Sequence, residues 1–208
     1  IRQAGPKLFA ADGTRVAVIG GSAGGYLTLV SGYRVEPRPT VLVSLWGYGD
    51  LVGEWYNTPS PHQRHHQSSF TVEQATAIKA LPPVADSRDR QGDGGAFYQF
   101  CRRQGIWPRE VTGWDARTER DKFVPFMPEH QVTAQFPPTF LIHGDADTDV
   151  PYQLSANMAE LFKKSGVEHR LVRFPGAEHS LPGVAKAEVD AAYAAAVEFV
   201  IERLSRKS

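Results

Sequence analysis

Two apolar runs early in the chain have strand length. Residues 15–19 form a β-branched run that stops at Gly20-Gly21, and residues 40–46 read Thr-Val-Leu-Val-Ser-Leu-Trp. Both runs are continuous instead of alternating, which predicts strands covered on both faces of a parallel sheet. Between them the pattern turns helical over residues 23–33, with Leu27, Leu29 and Val30 offering an apolar side. Further strands are predicted over 139–143 and 170–174. A helix over 152–165 carries Leu154, Met158, Leu161 and Phe162 on one face, and Gly166 is its stop. A last helix over 185–203 presents Val189, Tyr193, Val197, Ile201 and Leu204 as its expected buried stripe. Strands alternating with helices imply right-handed crossovers. The expected class is α/β, with about four parallel strands flanked by helices.

The middle of the chain reads differently. Residues 47–138 hold most of the Trp, Pro and His and show weak periodicity. A helix is predicted over 71–81, opened by Thr71 and Gln74 in capping-box positions and ended by Pro82-Pro83. Another is predicted over 96–103, and the polar, Gly-rich stretch 86–95 reads as an exposed loop. The expectation is one domain over 1–208, with 51–135 as a lid-like insertion within it.

Composition narrows the function. Lys+Arg and Asp+Glu are both 23, so the net charge is zero and no footprint for nucleic acid or an anionic membrane is visible. The single cysteine, Cys101, excludes a disulfide framework and a Cys-based zinc site, and reads as a small buried hydrophobe. No stretch approaches the roughly 20 apolar residues of a membrane span.

The chemistry concentrates at the ends of predicted strands. Gly20-Gly21-Ser22-Ala23-Gly24-Gly25 follows a strand and opens a helix, the context a nucleophile elbow requires. A serine on that turn projects its Oγ above the sheet. Small residues two before and two after it permit the strained backbone and close strand–helix approach. The N–H of Ala23 would then serve an oxyanion. A dinucleotide fingerprint fails here, because Ser22 stands where its second glycine belongs, and a P-loop fails for lack of Lys.

The second cluster is His143-Gly144-Asp145-Ala146-Asp147-Thr148-Asp149-Val150-Pro151, again after a strand. Its alternating Asp residues suggest a calcium loop, but Val150 and Ala156 occupy the positions that need Gly and Glu. Asp149 suits a role at the start of the following helix, and Asp145 suits a loop tie. Asp147 is the expected catalytic acid. The third cluster, Gly176-Ala177-Glu178-His179, follows the last strand and offers His179 as base. His62, His65 and His66 lie in a polar stretch that reads as a loop, and His143 is expected to end its strand and hold the acid loop.

Ser22, Asp147 and His179 follow one another in the order used by α/β-hydrolases. On the three clusters quoted, the chain resembles the C-terminal part of that superfamily. It looks most like the prolyl-oligopeptidase-type catalytic domain and its esterase-like relatives. The resemblance runs from about Pro6 to the end, with 51–135 matching only as a variable insertion. It implies a serine hydrolase that cleaves ester or peptide bonds with no cofactor or metal, on a small ester or peptide substrate. The competing expectation is a binding protein of the same fold without catalysis, whose mark would be a damaged triad. The chain begins with Ile1 instead of Met, in what reads as the end of a helix. A fragment is therefore expected, lacking the family's first strands and second oxyanion donor. Strand 15–19 would then be an unprotected edge, and the chain alone poorly soluble and nearly inactive.

Overall fold

A computed structural model describes residues 2–91 and 94–206. Its helices are α1 (Gly5–Phe9), α2 (Ala23–Arg34), α3 (Glu54–Asn57), α4 (Val72–Thr76), α5 (Gly94–Gln104), α6 (Trp107–Thr112), α7 (Arg120–Phe123), α8 (Tyr152–Lys164) and α9 (Lys186–Ser205). Its strands are β1 (Ala17–Gly21), β2 (Val41–Leu45), β3 (Thr139–Gly144) and β4 (His169–Phe174). The described strands pair in parallel in the order β1-β2-β3-β4. The chain divides into two compact units, Ile1–Asp50 with Val124–Ser208, and Leu51–Phe123.

In the first unit, helices cover both faces of the sheet. Val41, Val43, Phe140 and Ile142 point to one face, where they meet Ala192, Ala196 and Phe199 of α9. Leu42 and Leu141 point to the other, where they meet Leu29 of α2 and Met158 and Phe162 of α8. β2 and β3 are thus buried on both sides, which is why their sequences are apolar without alternation. Gly166, at φ 69°, ends α8: the Val167 N–H donates to the Phe162 carbonyl at 2.9 Å and the Gly166 N–H to Lys163 at 3.3 Å.

Three expectations need correction. β1 runs two residues later than predicted, through both glycines. Its register with β2, Ala17 opposite Val41 to Gly21 opposite Leu45, carries pairing right up to Ser22. Among the described residues β1 pairs on one side only, and Ile19 is 58% exposed. In α2 the buried face is Gly25, Thr28, Leu29 and Gly32, and Leu27 points outward. Small residues win this face because the helix lies close to its neighbours: a Cβ on Gly32 would stand 2.7 Å from the Phe136 ring. In α9 the buried row is Ala192, Ala196, Phe199 and Arg203. Val197 and Ile201, placed in the expected stripe, are 54% and 56% exposed. Val189 and Leu204 of that stripe are half-buried against the core.

The second unit is helical. The capping box at Thr71 and Gln74 is present, but the helix it opens is α4 followed by a 3₁₀ turn at Ala77–Ala80, not one helix over 71–81. The expected loop 86–95 contains a 3₁₀ turn at Ser87–Asp89 and the start of α5, and its residues 92 and 93 lie outside the described residues. The buried Arg102 guanidinium lies over the rings of Trp55, Tyr56 and Tyr98 and donates to the Tyr98 hydroxyl at 2.9 Å. Cys101 is buried beside it, and burial pushes its thiol pKa up to about 12. No helix among the described residues is long and apolar enough to cross a membrane.

Candidate active site

β1 delivers Ser22 to a turn with no slack. Its N–H donates to the Leu45 carbonyl at 2.9 Å, continuing the sheet pairing, while its own carbonyl already accepts from Tyr26 at 3.0 Å within the α2 ladder. The residue between must reverse direction, and Ser22 sits at φ 56°, ψ −121°. Such a conformation costs about 1–3 kcal/mol for a side-chain-bearing residue and is held only by its surroundings. The glycines serve unequally. A Cβ on Gly20 would lie 2.4 Å from the Gly24 carbonyl oxygen, and one on Gly25 would lie 2.8 Å from the Gly47 Cα. A Cβ on Gly24 itself would meet nothing within 4 Å. The close approach that the motif predicts two residues after the serine therefore falls one residue later. Ala23 is the first residue of α2, so its N–H has no intrahelical acceptor.

β3 and β4 end in two loops that are tied together. Asp145 pairs with Arg173 and accepts the Gly176 N–H at 2.6 Å. The Ala146 N–H donates to the Ala177 carbonyl at 3.0 Å. The Thr148 N–H and hydroxyl both donate to the Glu178 carboxylate. Ala177 and Leu181 are buried in the core beneath α9, so both flanks of His179 are anchored. Ser180 and Leu181 take φ of 69° and 61°, a second strained turn directly after the histidine.

These ties bring Ser22, Asp147 and His179 into one hydrogen-bonded line. His179 Nδ1 lies 2.7 Å from Asp147 Oδ2, and His179 Nε2 lies 3.1 Å from Ser22 Oγ. With the acceptor carboxylate at Nδ1, that nitrogen carries the proton and Nε2 is left to accept from the serine hydroxyl. Asp147 Oδ1 accepts the N–H groups of Asp149 and Val150, each at 2.8 Å. Burial works against the Asp147 charge, but hydrogen bonds from His143 and His179 outweigh it and bring its pKa to about 2. Because the folded value lies below the ordinary 3.8, this carboxylate adds stability that is complete above about pH 4 and lost as pH falls through about 2. Urea unfolding should show the stability gap between wild type and Asp147→Asn closing over that range.

Further side chains surround this line. Asp149 Oδ2 stands 3.8 Å from His179 Nε2, beside the nitrogen that faces the serine. Trp46 holds φ 39°, exceptional for a bulky residue, and its ring meets His179 edge-on at 6.2 Å. Tyr26 stacks on Tyr48 with centroids 5.1 Å apart, and its hydroxyl donates to the Phe126 carbonyl at 2.9 Å. Glu178 gave one available signal, a carboxylate directly before the histidine. His65 and His66 instead bond Ser60, through its hydroxyl at 2.7 Å and its carbonyl at 2.8 Å. Among the described residues no group of three or more His, Cys, Asp or Glu could hold a metal ion.

A sequence profile of the prolyl oligopeptidase family matches residues 97–207, more than half of the chain. The chain belongs to the prolyl oligopeptidase family. The matched stretch contains Asp147 and His179 and begins well after Ser22. No curated protein sequence matches the chain. Solved structures share the α/β-hydrolase fold. A protein of unknown function from Staphylococcus aureus superposes with a TM-score of 0.71 at 18% identity, over 91% of this chain and 65% of the other. The apo form of Thermogutta terrifontis esterase 2 gives 0.60 at 20% identity, over 99% of this chain and 62% of the other. A truncated carbohydrate esterase from gut microbiota gives 0.61 at 16% identity, over 99% and 65%. This prolyl oligopeptidase family chain thus spans less than two thirds of the length of the structures it matches.

Proposed function

We propose that this chain carries the active site of a serine hydrolase that cleaves ester or amide bonds through an acyl-enzyme. The observation that carries this reading is the continuous hydrogen-bonded line Ser22 Oγ, His179 Nε2, His179 Nδ1, Asp147 Oδ2 on the end of one sheet. Each member plays one part. Ser22 Oγ attacks the substrate carbonyl carbon while its proton passes to His179 Nε2. The negative charge that forms on the carbonyl oxygen is met by the Ala23 N–H at the start of α2. As the tetrahedral species collapses, His179 returns the proton to the leaving alcohol or amine, and the acyl group stays on Ser22. Water then attacks the acyl-enzyme, with His179 taking and returning a proton in the same way. Asp147 holds the Nδ1 proton and balances the imidazolium charge throughout. Substrates on this reading are small esters or peptides. Family membership supports it, as do the esterases among the structures of like fold; one of these, the Thermogutta terrifontis enzyme, has been captured phosphonylated by sarin.

The test is covalent. A fluorophosphonate should add to Ser22 alone, read by peptide mass spectrometry, and the adduct should disappear in Ser22→Ala. A folded protein that takes up no label at Ser22 would overturn the proposal.

A further inference from the structure

The acid of the proposed triad has a second histidine on it. His143 is completely buried at the end of β3, and its Nε2 faces two acceptors, the Val150 carbonyl at 2.9 Å and Asp147 Oδ2 at 3.2 Å. Only an N–H at that position is compatible with both, since a ring lone pair would face two oxygens. The other nitrogen, Nδ1, lies 2.7 Å from the buried hydroxyl of Ser155 on α8, which in turn lies 3.2 Å from the Gly47 carbonyl. The Gly47 Cα presses on Gly25 so closely that neither residue has room for a Cβ. Gly25 sits on α2, within a turn of Ser22. Because the single Ser155 proton goes to Nδ1, the Gly47 loop meets Ser155 by packing alone.

We propose that His143 is a positioning residue of this site, whose Nε2–H fixes the Asp147 carboxylate against His179, while its Nδ1 accepts the Ser155 hydroxyl proton and so pins the imidazole to α8. The inference rests on the serine-hydrolase reading above. The donors around Asp147 divide between its two oxygens. Asp147 Oδ1 is filled by two backbone N–H groups, so Oδ2 alone serves His179, and Oδ2 has His143 as its second donor. Without that donor Oδ2 keeps a single partner in a dry setting, and only the Oδ1 contacts are left to set the angle at which Oδ2 meets His179. Asp147's low pKa, to which the His143 bond contributes, agrees with a donor at that place.

The experiment compares fluorophosphonate labelling rates of wild type, His143→Leu and His143→Gln, with each variant's melting temperature measured alongside. His143→Leu should label Ser22 about tenfold more slowly or worse, while His143→Gln, which keeps an N–H near the Nε2 position, should stay within about threefold. A folded His143→Leu that labels at the wild-type rate would overturn the proposal. So would equal losses in both variants, because the role would then be shape and not the N–H. Long-range ¹⁵N NMR of the wild-type imidazole gives a readout that needs no variant to fold. The proton is expected on His143 Nε2, and a lone pair there would also overturn the brace. Wild-type protein that is never labelled would fail the hydrolase reading itself, and the brace with it; a labelled wild type with unaffected variants would fail the brace alone.

Discussion

Replacing Ser22 or His179 with Ala is expected to lower kcat by about 10⁶, because the members of such a constellation act as a unit. The geometry says why either loss is nearly complete. On the proposed reading Ser22 Oγ is the nucleophile, 3.1 Å from His179 Nε2 on a strained turn. Without it, no acyl group can be taken up. Without the imidazole, the hydroxyl keeps its proton and is a poor nucleophile. The double variant should therefore be scarcely slower than either single one, and all three should stay folded, since the core lies below in Val41, Phe140 and Phe199. Turnover of p-nitrophenyl acetate at saturating substrate measures this. A Ser22→Ala protein that retained most of its turnover would remove the serine from the chemistry.

The sheet was legible where burial is two-sided. Residues 41–45 and 139–144 are buried on both faces and carry apolar side chains on each, because helices lie on both sides of the sheet. β1 was misplaced by two residues because glycine reads locally as a breaker. Here pairing with β2 continues through Gly20 and Gly21, since the sharp approach of α2 leaves no room for a side chain at Gly20. The α9 stripe was misread for a related reason. Its sequence is apolar almost all round, so periodicity offers two faces. Tertiary packing selected the row of Ala192, Ala196 and Phe199, which meets Val41 and Phe140 of the sheet. Large side chains at Val197 and Ile201 would have held it away from the sheet.

Ser22, Asp147 and His179 stood out in the sequence because each follows a strand that ends on the same side of a parallel sheet, which is where topology gathers side chains. The supporting residues did not. Ser155 and Gly47 are 108 positions apart, and nothing local to either announces that they meet. His143 is expected to end its strand and hold the acid loop, but that it does so through Asp147 itself depends on the loop turning back over it. Nor does the sequence show the φ of 39° at Trp46, where the chain leaves the sheet after β2 in a strained turn. Contacts of this kind are set by the packed fold and not by any window of sequence.

Asp147→Asn should cost about 10⁴ in kcat, while Asp145→Asn and Asp149→Asn cost far less. The argument turns on which way the new amide must face. At Asp147 Oδ1 two backbone N–H groups converge at 2.8 Å, so an asparagine has to place its carbonyl oxygen there. Its NH₂ is then directed at His179 Nδ1, which sits at 2.7 Å from the other carboxylate oxygen. Nδ1 must become an acceptor, the ring proton moves to Nε2, and the nitrogen facing Ser22 Oγ can no longer receive the serine's proton. The tautomer is then wrong, and the new NH₂ also faces the His143 Nε2–H, so that bond is lost as well. Asp145 has no such lever, because its carboxylate is committed to Arg173 and the Gly176 N–H. Asp149 lies near Nε2, at 3.8 Å, and does not touch the nitrogen whose proton needs holding. Steady-state kinetics of the three variants at one neutral pH, with circular dichroism to check folding, separates them. If Asp149→Asn proves the crippling change, the acid has been assigned to the wrong carboxylate.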